Sequence, residues 1–189
     1  MGHILDSGRV IDAGLRRAQA EVLLNAWNEG ISAEQVARTL DSRGFPRTPA
    51  LEQLWAWHNG FDPDLTPLIG QSWIMPGFFL LSAEEAIEYY DELNSFGRWN
   101  DGWLPVLADG AGDFVFLDYY VEGPPARRYY NDEDEQPFIH RDLEHLLGTI
   151  AAGFESGVIH RGPRGSLEMD HEQFDALAKR LNPGVPWWD

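Results

Sequence analysis

The chain has 189 residues, of which 43% are hydrophobic and 13% aromatic, enough to build a packed core without staples. It has no cysteine, which excludes disulfides, thiolate zinc sites and cysteine nucleophiles. Fourteen basic residues against 31 acidic ones give a formal net charge of −17, so nucleic acid and anionic membrane are poor direct partners, whereas a basic protein would be met faster.

The stretch Met1 to Val10 places His3, Asp6 and Arg9 among few apolar residues, unlike a secretory signal, and nothing approaches a transmembrane run. A cytoplasmic location is the expectation. The first helix is predicted over Asp12 to Asn28, with Leu15, Ala18, Val22 and Trp27 near one stripe and Gly30 stopping it. Ser32 to Gln35 reads as a capping box, with Ile31 and Val36 as a staple, and starts a second helix at Ala33 that ends before Gly44. Together these two form an N-terminal helical hairpin ahead of the main body.

Thr48-Pro49 opens a third helix that carries Leu51, Leu54, Trp55 and Trp57 up to Asn59-Gly60. Its tryptophans belong mostly to the core, although positions two apart diverge on a helix. Phe61 to Trp73, with Pro63, Pro67 and Gly70, reads as a loop, and Gly77 to Leu81 as a short apolar strand. Ser82 to Glu85 is a second capping box, which begins a helix over about Ala83 to Leu93.

After a turn-rich bridge come two strands, about Trp103 to Leu107 and Asp113 to Val121, joined by Asp109-Gly-Ala-Gly-Asp113. Phe114 and Phe116 alternate with Val115, Leu117 and Tyr119, so both faces of the second strand want burial and it belongs in the middle of a sheet. Arg127 to Tyr130 is a third meander strand, Asp132 to Glu135 an acidic loop, and Phe138-Ile139 a brief pairing segment. Asp142 caps a helix bearing Leu143, Leu146, Leu147 and Ile150; a weakly strand-like tail over Val158 to Leu167 leads to a final helix over Asp170 to Leu181. The pattern is α+β: a small antiparallel meander surrounded by helices, with the N-terminal helical hairpin and a C-terminal helix added. The expected divisions are an extension over 1–45, a body over 46–157 and a tail over 158–189 packed on that body.

Few residues invite chemistry. The turn Asp109 to Asp113 lacks the third glycine and following helix of a dinucleotide loop, and the alternating ligands of a calcium loop; it reads as a tight hairpin. His140 and His145 are five residues apart and His58 and His160 lie on other elements, while H-E-x-x-H, G-x-S-x-G and Walker patterns are missing. No catalytic, cofactor or metal residue is assigned, and no cofactor is expected. Asp118, on an apolar strand, is expected to accept bonds from a neighbouring loop or from Arg127 or Arg128, since an unpartnered buried carboxylate is costly.

In order and residues the chain resembles the SUKH superfamily, which includes fungal cell-wall synthesis regulators and many bacterial immunity proteins. The resemblance rests on a helix ending in Asn59-Gly60, the helix after Ser82, Trp103-Leu-Pro105, the Asp109-Gly-x-Gly112-Asp113 turn and a strand ending at Asp118. It covers about Pro46 to Gly157, and it treats these residues as markers of the fold. It implies a non-enzymatic bacterial antitoxin that binds and blocks a polymorphic or contact-dependent toxin, and the acidic charge of the chain adds the expectation that this toxin has a basic active-site face, such as a nuclease. Candidate contacts are Asp132, Glu133, Asp134 and Glu135, with Asp62 and Asp64 after Gly60, because these acids lie on predicted turns. An interaction module in cell-wall or stress signalling and an uncharacterised enzyme are the alternatives; the near-exclusive use of arginine over lysine suits a GC-rich bacterial genome.

Overall fold

In the computed structural model, which describes residues 3–66, 68 and 70–189, the N-terminal segment differs from the sequence-based expectation in a way that small residues explain. Helix α1 spans Ile4–Arg17 and α2 spans Glu21–Ala26, where a single helix from Asp12 to Asn28 is predicted. α1 starts early because its inner face mixes Ile4, Ile11 and Leu15 with Ser7, Gly8 and Gly14, small residues that a search for apolar periodicity passes over. They permit close approach: a Cβ on Gly14 would stand 2.4 Å from the Phe154 ring, and one on Gly8 would stand 2.8 Å from the Trp57 ring. The helix stops at Gln19, which adopts φ 53°, a left-handed conformation that costs a non-glycine residue about 1–2 kcal/mol. Val22, placed by the expected stripe in the core, is 38% exposed.

The later helices begin where the sequence supplies an oxygen for free N–H groups. Ser32 and Ser82 each complete a capping box, with Gln35 and Glu85, and open α3 (Ala33–Asp41) and α5 (Ala83–Ser95). Thr48 caps α4 (Pro49–Trp57), Asp142 caps α6 (Leu143–Glu155) and Asp170 caps α7 (His171–Leu181). In α4, Trp55 is fully buried and donates to the Leu81 carbonyl, whereas Trp57 is half-buried and donates to Asp12 Oδ2. The loop after α4 contains a 3-10 turn at Pro63–Leu65; its expected Pro67 lies outside the described residues.

Five strands, β1 (Phe79–Leu80), β2 (Trp103–Ala108), β3 (Phe114–Asp118), β4 (Ala126–Tyr129) and β5 (Phe138–His140), pair antiparallel in chain order as a meander. Helices pack against this sheet, so the class is α+β as the pattern predicts. All five residues of β3 are buried. On one face Phe114 and Phe116 meet Trp99 at ring distances of 5.9 and 5.2 Å, and Trp103 meets Phe116 at 4.4 Å. On the other face Val115 and Leu117 border spaces walled by Ala50 of α4 and by Leu143 and Leu146 of α6. Pro105 sits beside a bulge between Pro105 and Leu107, a place where a strand tolerates a missing N–H.

The tail forms more structure than its sequence suggests. β6 (Ile159–Arg161) and β7 (Leu167–Met169) make a separate two-stranded hairpin, and α7 packs on α6. Asn182 is buried and donates to Thr149 Oγ1 and the Ala178 carbonyl. A closing 3-10 turn, Pro186–Trp188, reaches β5, where Trp188 Nε1 donates to the Ile139 carbonyl.

Asp118 is 6% exposed; its Oδ1 accepts from the Tyr120 N–H at 3.1 Å, and its Oδ2 lies 2.9 Å from Arg127 Nε. That Nε–H is not aimed well enough to form a hydrogen bond, so charge holds the pair. Replacing Asp118 with Ala strands the Arg127 charge and removes the turn bond. The expected loss is about 1–3 kcal/mol, reduced from the cost at a fully buried pair because Arg127 is partly solvated. Chemical denaturation would measure it, and an unchanged midpoint would contradict this account; Asp118→Asn, which keeps the bond to Tyr120, should lose less.

His140 is 3% exposed, with neither ring nitrogen hydrogen-bonded. Burial first, and then His145, push its pKa down from 6.5 to about 3, against a smaller upward pull from Asp142; Arg128 and His171 border the same space. Above the unfolded value both states are neutral here. As pH falls from about 6.5 toward 3, only the unfolded chain takes the proton, so this residue's share of stability is whole above 6.5 and is progressively lost below it. Thermal melts across that range should fall less steeply for His140→Leu than for the native chain.

Candidate functional site

The residues that carry the family resemblance spend their polar groups inside the molecule. Asn59 joins the end of α4 to the start of α5: its Oδ1 accepts from the Ala83 N–H at 2.9 Å and its Nδ2 donates to Glu84 Oε2 at 3.0 Å. Gly60 sits so close that a Cβ would stand 2.8 Å from the Ser82 nitrogen. Trp103 packs on Phe116 and accepts, through its carbonyl, the indole N–H of Trp99.

The Asp109 to Asp113 turn is occupied in the same way. Asp109 Oδ1 accepts from the N–H groups of Ala111 and Asp113 at 2.7 and 3.0 Å, and Gly110 and Gly112 supply the positive φ of 80° and 113° that the turn requires. Asp113 Oδ1 accepts from the Asn131 N–H at 3.1 Å and its Oδ2 from Arg128 Nη2 at 3.2 Å. The turn therefore ties β2 and β3 to the end of β4. Among the described residues no three His, Asp or Glu side chains are grouped to hold a metal ion.

The acids chosen as candidate contacts behave differently. Asp132, Glu133, Asp134 and Glu135 are all exposed on the loop between β4 and β5. Among the described residues none of the four pairs with a basic side chain. The loop is nevertheless fixed. Gln136 accepts the Tyr130 N–H on its Oε1 at 2.7 Å and donates its Nε2 to the carbonyls of Tyr130 and Glu133, while Arg127 Nη1 donates to the Gln136 carbonyl. Gln136 is the residue that sequence reasoning passes over, since nothing local distinguishes a glutamine between acids and a proline.

Asp62 and Asp64 lie elsewhere, on the 3-10 turn packed against α2. Asp62 is half-buried and structurally engaged, because its Oδ1 accepts from the Asp64 N–H at 2.9 Å and its own N–H donates to the Ala26 carbonyl at 2.8 Å. Asp64 is exposed. Among the described residues no side-chain hydrogen bond or ion pair joins this turn to the loop over 132–135.

Residues 30–149 match the SMI1/KNR4 family (SUKH-1), a span that opens ahead of α3, ends within α6 and contains the whole five-stranded sheet. This family is generally associated with immunity proteins of polymorphic toxin systems. No curated protein matches the chain. Since the matched span covers well over half of the sequence and holds every motif residue from Asn59 to Asp118, the chain belongs to the SMI1/KNR4 family (SUKH-1).

Proposed function

We propose that this protein is a bacterial immunity protein that binds a toxin domain and blocks it by covering its working surface, and that the toxin presents a basic face, as a nuclease does. One observation carries the reading: the family's motif carboxylates are neutralised or hydrogen-bonded internally, while four consecutive carboxylates stand unpaired on a loop held in one shape by Gln136. Such a loop costs little entropy to order on binding, because it is ordered already. Its charge, on a chain with formal net charge −17, steers a basic partner toward contact.

Asp132, Glu133, Asp134 and Glu135 are the proposed toxin contacts, with Asp64 a second candidate on a separate turn. The protein acts by occlusion, needs no cofactor, and works in the cytoplasm where an incoming toxin reaches its target. No helix among the described residues is long and apolar enough to cross a membrane.

Identifying a secreted toxin gene beside this one and co-expressing its toxin domain with this protein is the direct test. Growth should be rescued and a complex should be recovered; failure of both removes the proposal. Converting the four loop acids to their amides (D132N/E133Q/D134N/E135Q) should not lower the melting temperature of the free protein, since it relieves repulsion among them. In the purified pair it should slow association by about 10-fold or more at low salt and flatten its salt dependence, as measured by surface plasmon resonance over a range of ionic strength.

A further inference from the structure

Beside the acidic loop a cleft of about 370 Å³ opens between the end of β4, the segment leading into β1, and the C-terminal turn. One wall of it is already settled. The Arg128 guanidinium lies 4.2 Å from the Phe78 ring centre and 4.7 Å from the Tyr130 ring centre, with Nη2 3.2 Å from Asp113 Oδ2. The charge of Arg128 is thus balanced and its two faces are covered. His140, at the margin of the same cleft, is held neutral by its burial.

The mouth has a different character. Tyr130 and Trp187 stand side by side with ring centres 6.5 Å apart and planes tilted by 41°. Trp187 remains 48% exposed, a large indole that folding leaves partly in water. Asp109 and Asp175 also border the cleft; Asp175 stands exposed on α7 with no basic partner among the described residues. Aromatic faces beside unneutralised carboxylates suit a cation, and the net charge of the chain repels an anion. A planar guanidinium fits best, since it stacks on rings while its edge donates to carboxylates.

We propose that this cleft is the anchor site for one arginine side chain of the toxin, which stacks on the exposed face of Trp187 beside Tyr130 and donates to Asp175. This rests on the immunity reading above and adds a division of labour to it. Tyr130 is both a wall of the cleft and the residue from which the acidic loop departs, its two backbone groups fastened by Gln136. The loop therefore sets the rate of encounter and the cleft sets the lifetime of the complex, as exposed charge and buried aromatic anchors do in general.

Two variants of the full chain separate these roles against the adjacent toxin domain. Trp187→Ala and Asp175→Asn should each raise the dissociation rate by about 10-fold, with association and its salt dependence within about twofold of the native values; Asp175→Asn should melt with the native protein and Trp187→Ala, which loses its half-buried indole, about 2–8 °C below it with the fold intact. A complex that forms but whose dissociation is unchanged in both variants would overturn the anchor and leave the immunity reading intact. Absence of any complex would remove the immunity reading, and the cleft is then judged by its chemistry alone. The Trp187 indole N–H resonance should shift saturably with an acetyl-Gly-Arg-Gly amide probe, and less with the same peptide carrying citrulline. Equal shifts, or none, would overturn the cation site.

Discussion

A strand buried on both faces fixes the register of everything paired to it, and here two aspartates pin β3 at its ends. Asp113 precedes the strand and reaches Arg128; Asp118 closes it and lies against Arg127. Consecutive residues of β4 point to opposite faces, so the two ion pairs clamp the same two strands from opposite sides. A slip of one residue would send both arginines to the wrong face, along with Tyr129 and Ala126, which pair with Phe114 and Leu117. The pairs are partly solvated and add little net stability in isolation. Their consequence is to exclude the alternative pairings.

That register decides what lies at each end of the sheet. In a meander the β2–β3 and β4–β5 connections emerge at the same end, and the bond from the Asn131 N–H to Asp113 joins them directly. The glycine turn that marks the family is therefore the foundation on which the acidic loop stands. At the turn every carboxylate has a partner. One residue beyond Asn131 four carboxylates have no basic partner among the described residues, so negative charge is presented on a loop whose backbone Gln136 fastens.

Much of this was legible in the sequence because it is local. The Ser32 and Ser82 boxes, Thr48-Pro49, Asp142 and Asp170 each mark a helix start through atoms three or four residues apart, and alternation along 114–118 announces a central strand. What stayed hidden depends on contacts between distant segments. The early start of α1 relies on Gly14 meeting Phe154 and Gly8 meeting Trp57, and its end relies on a glutamine in a conformation usually left to glycine. The β6–β7 hairpin was too short for its alternation to register. The acidic run was plain to see, but not the glutamine that shapes it; the cleft draws Phe78, Arg128, Asp175 and Trp187 from four separate stretches and has no local signature at all.

The placement of the unfavourable features also argues for where a partner sits. Four adjacent like charges repel one another, and a half-exposed indole forgoes burial worth roughly 1–2 kcal/mol. Neither helps the chain to fold, and both lie around Tyr130, one on the loop that follows it and the other 6.5 Å from its ring. Charge left unpaired and apolar surface left open thus coincide at one end of one sheet, and the basic partner proposed above, with an arginine stacked on Trp187, would satisfy both.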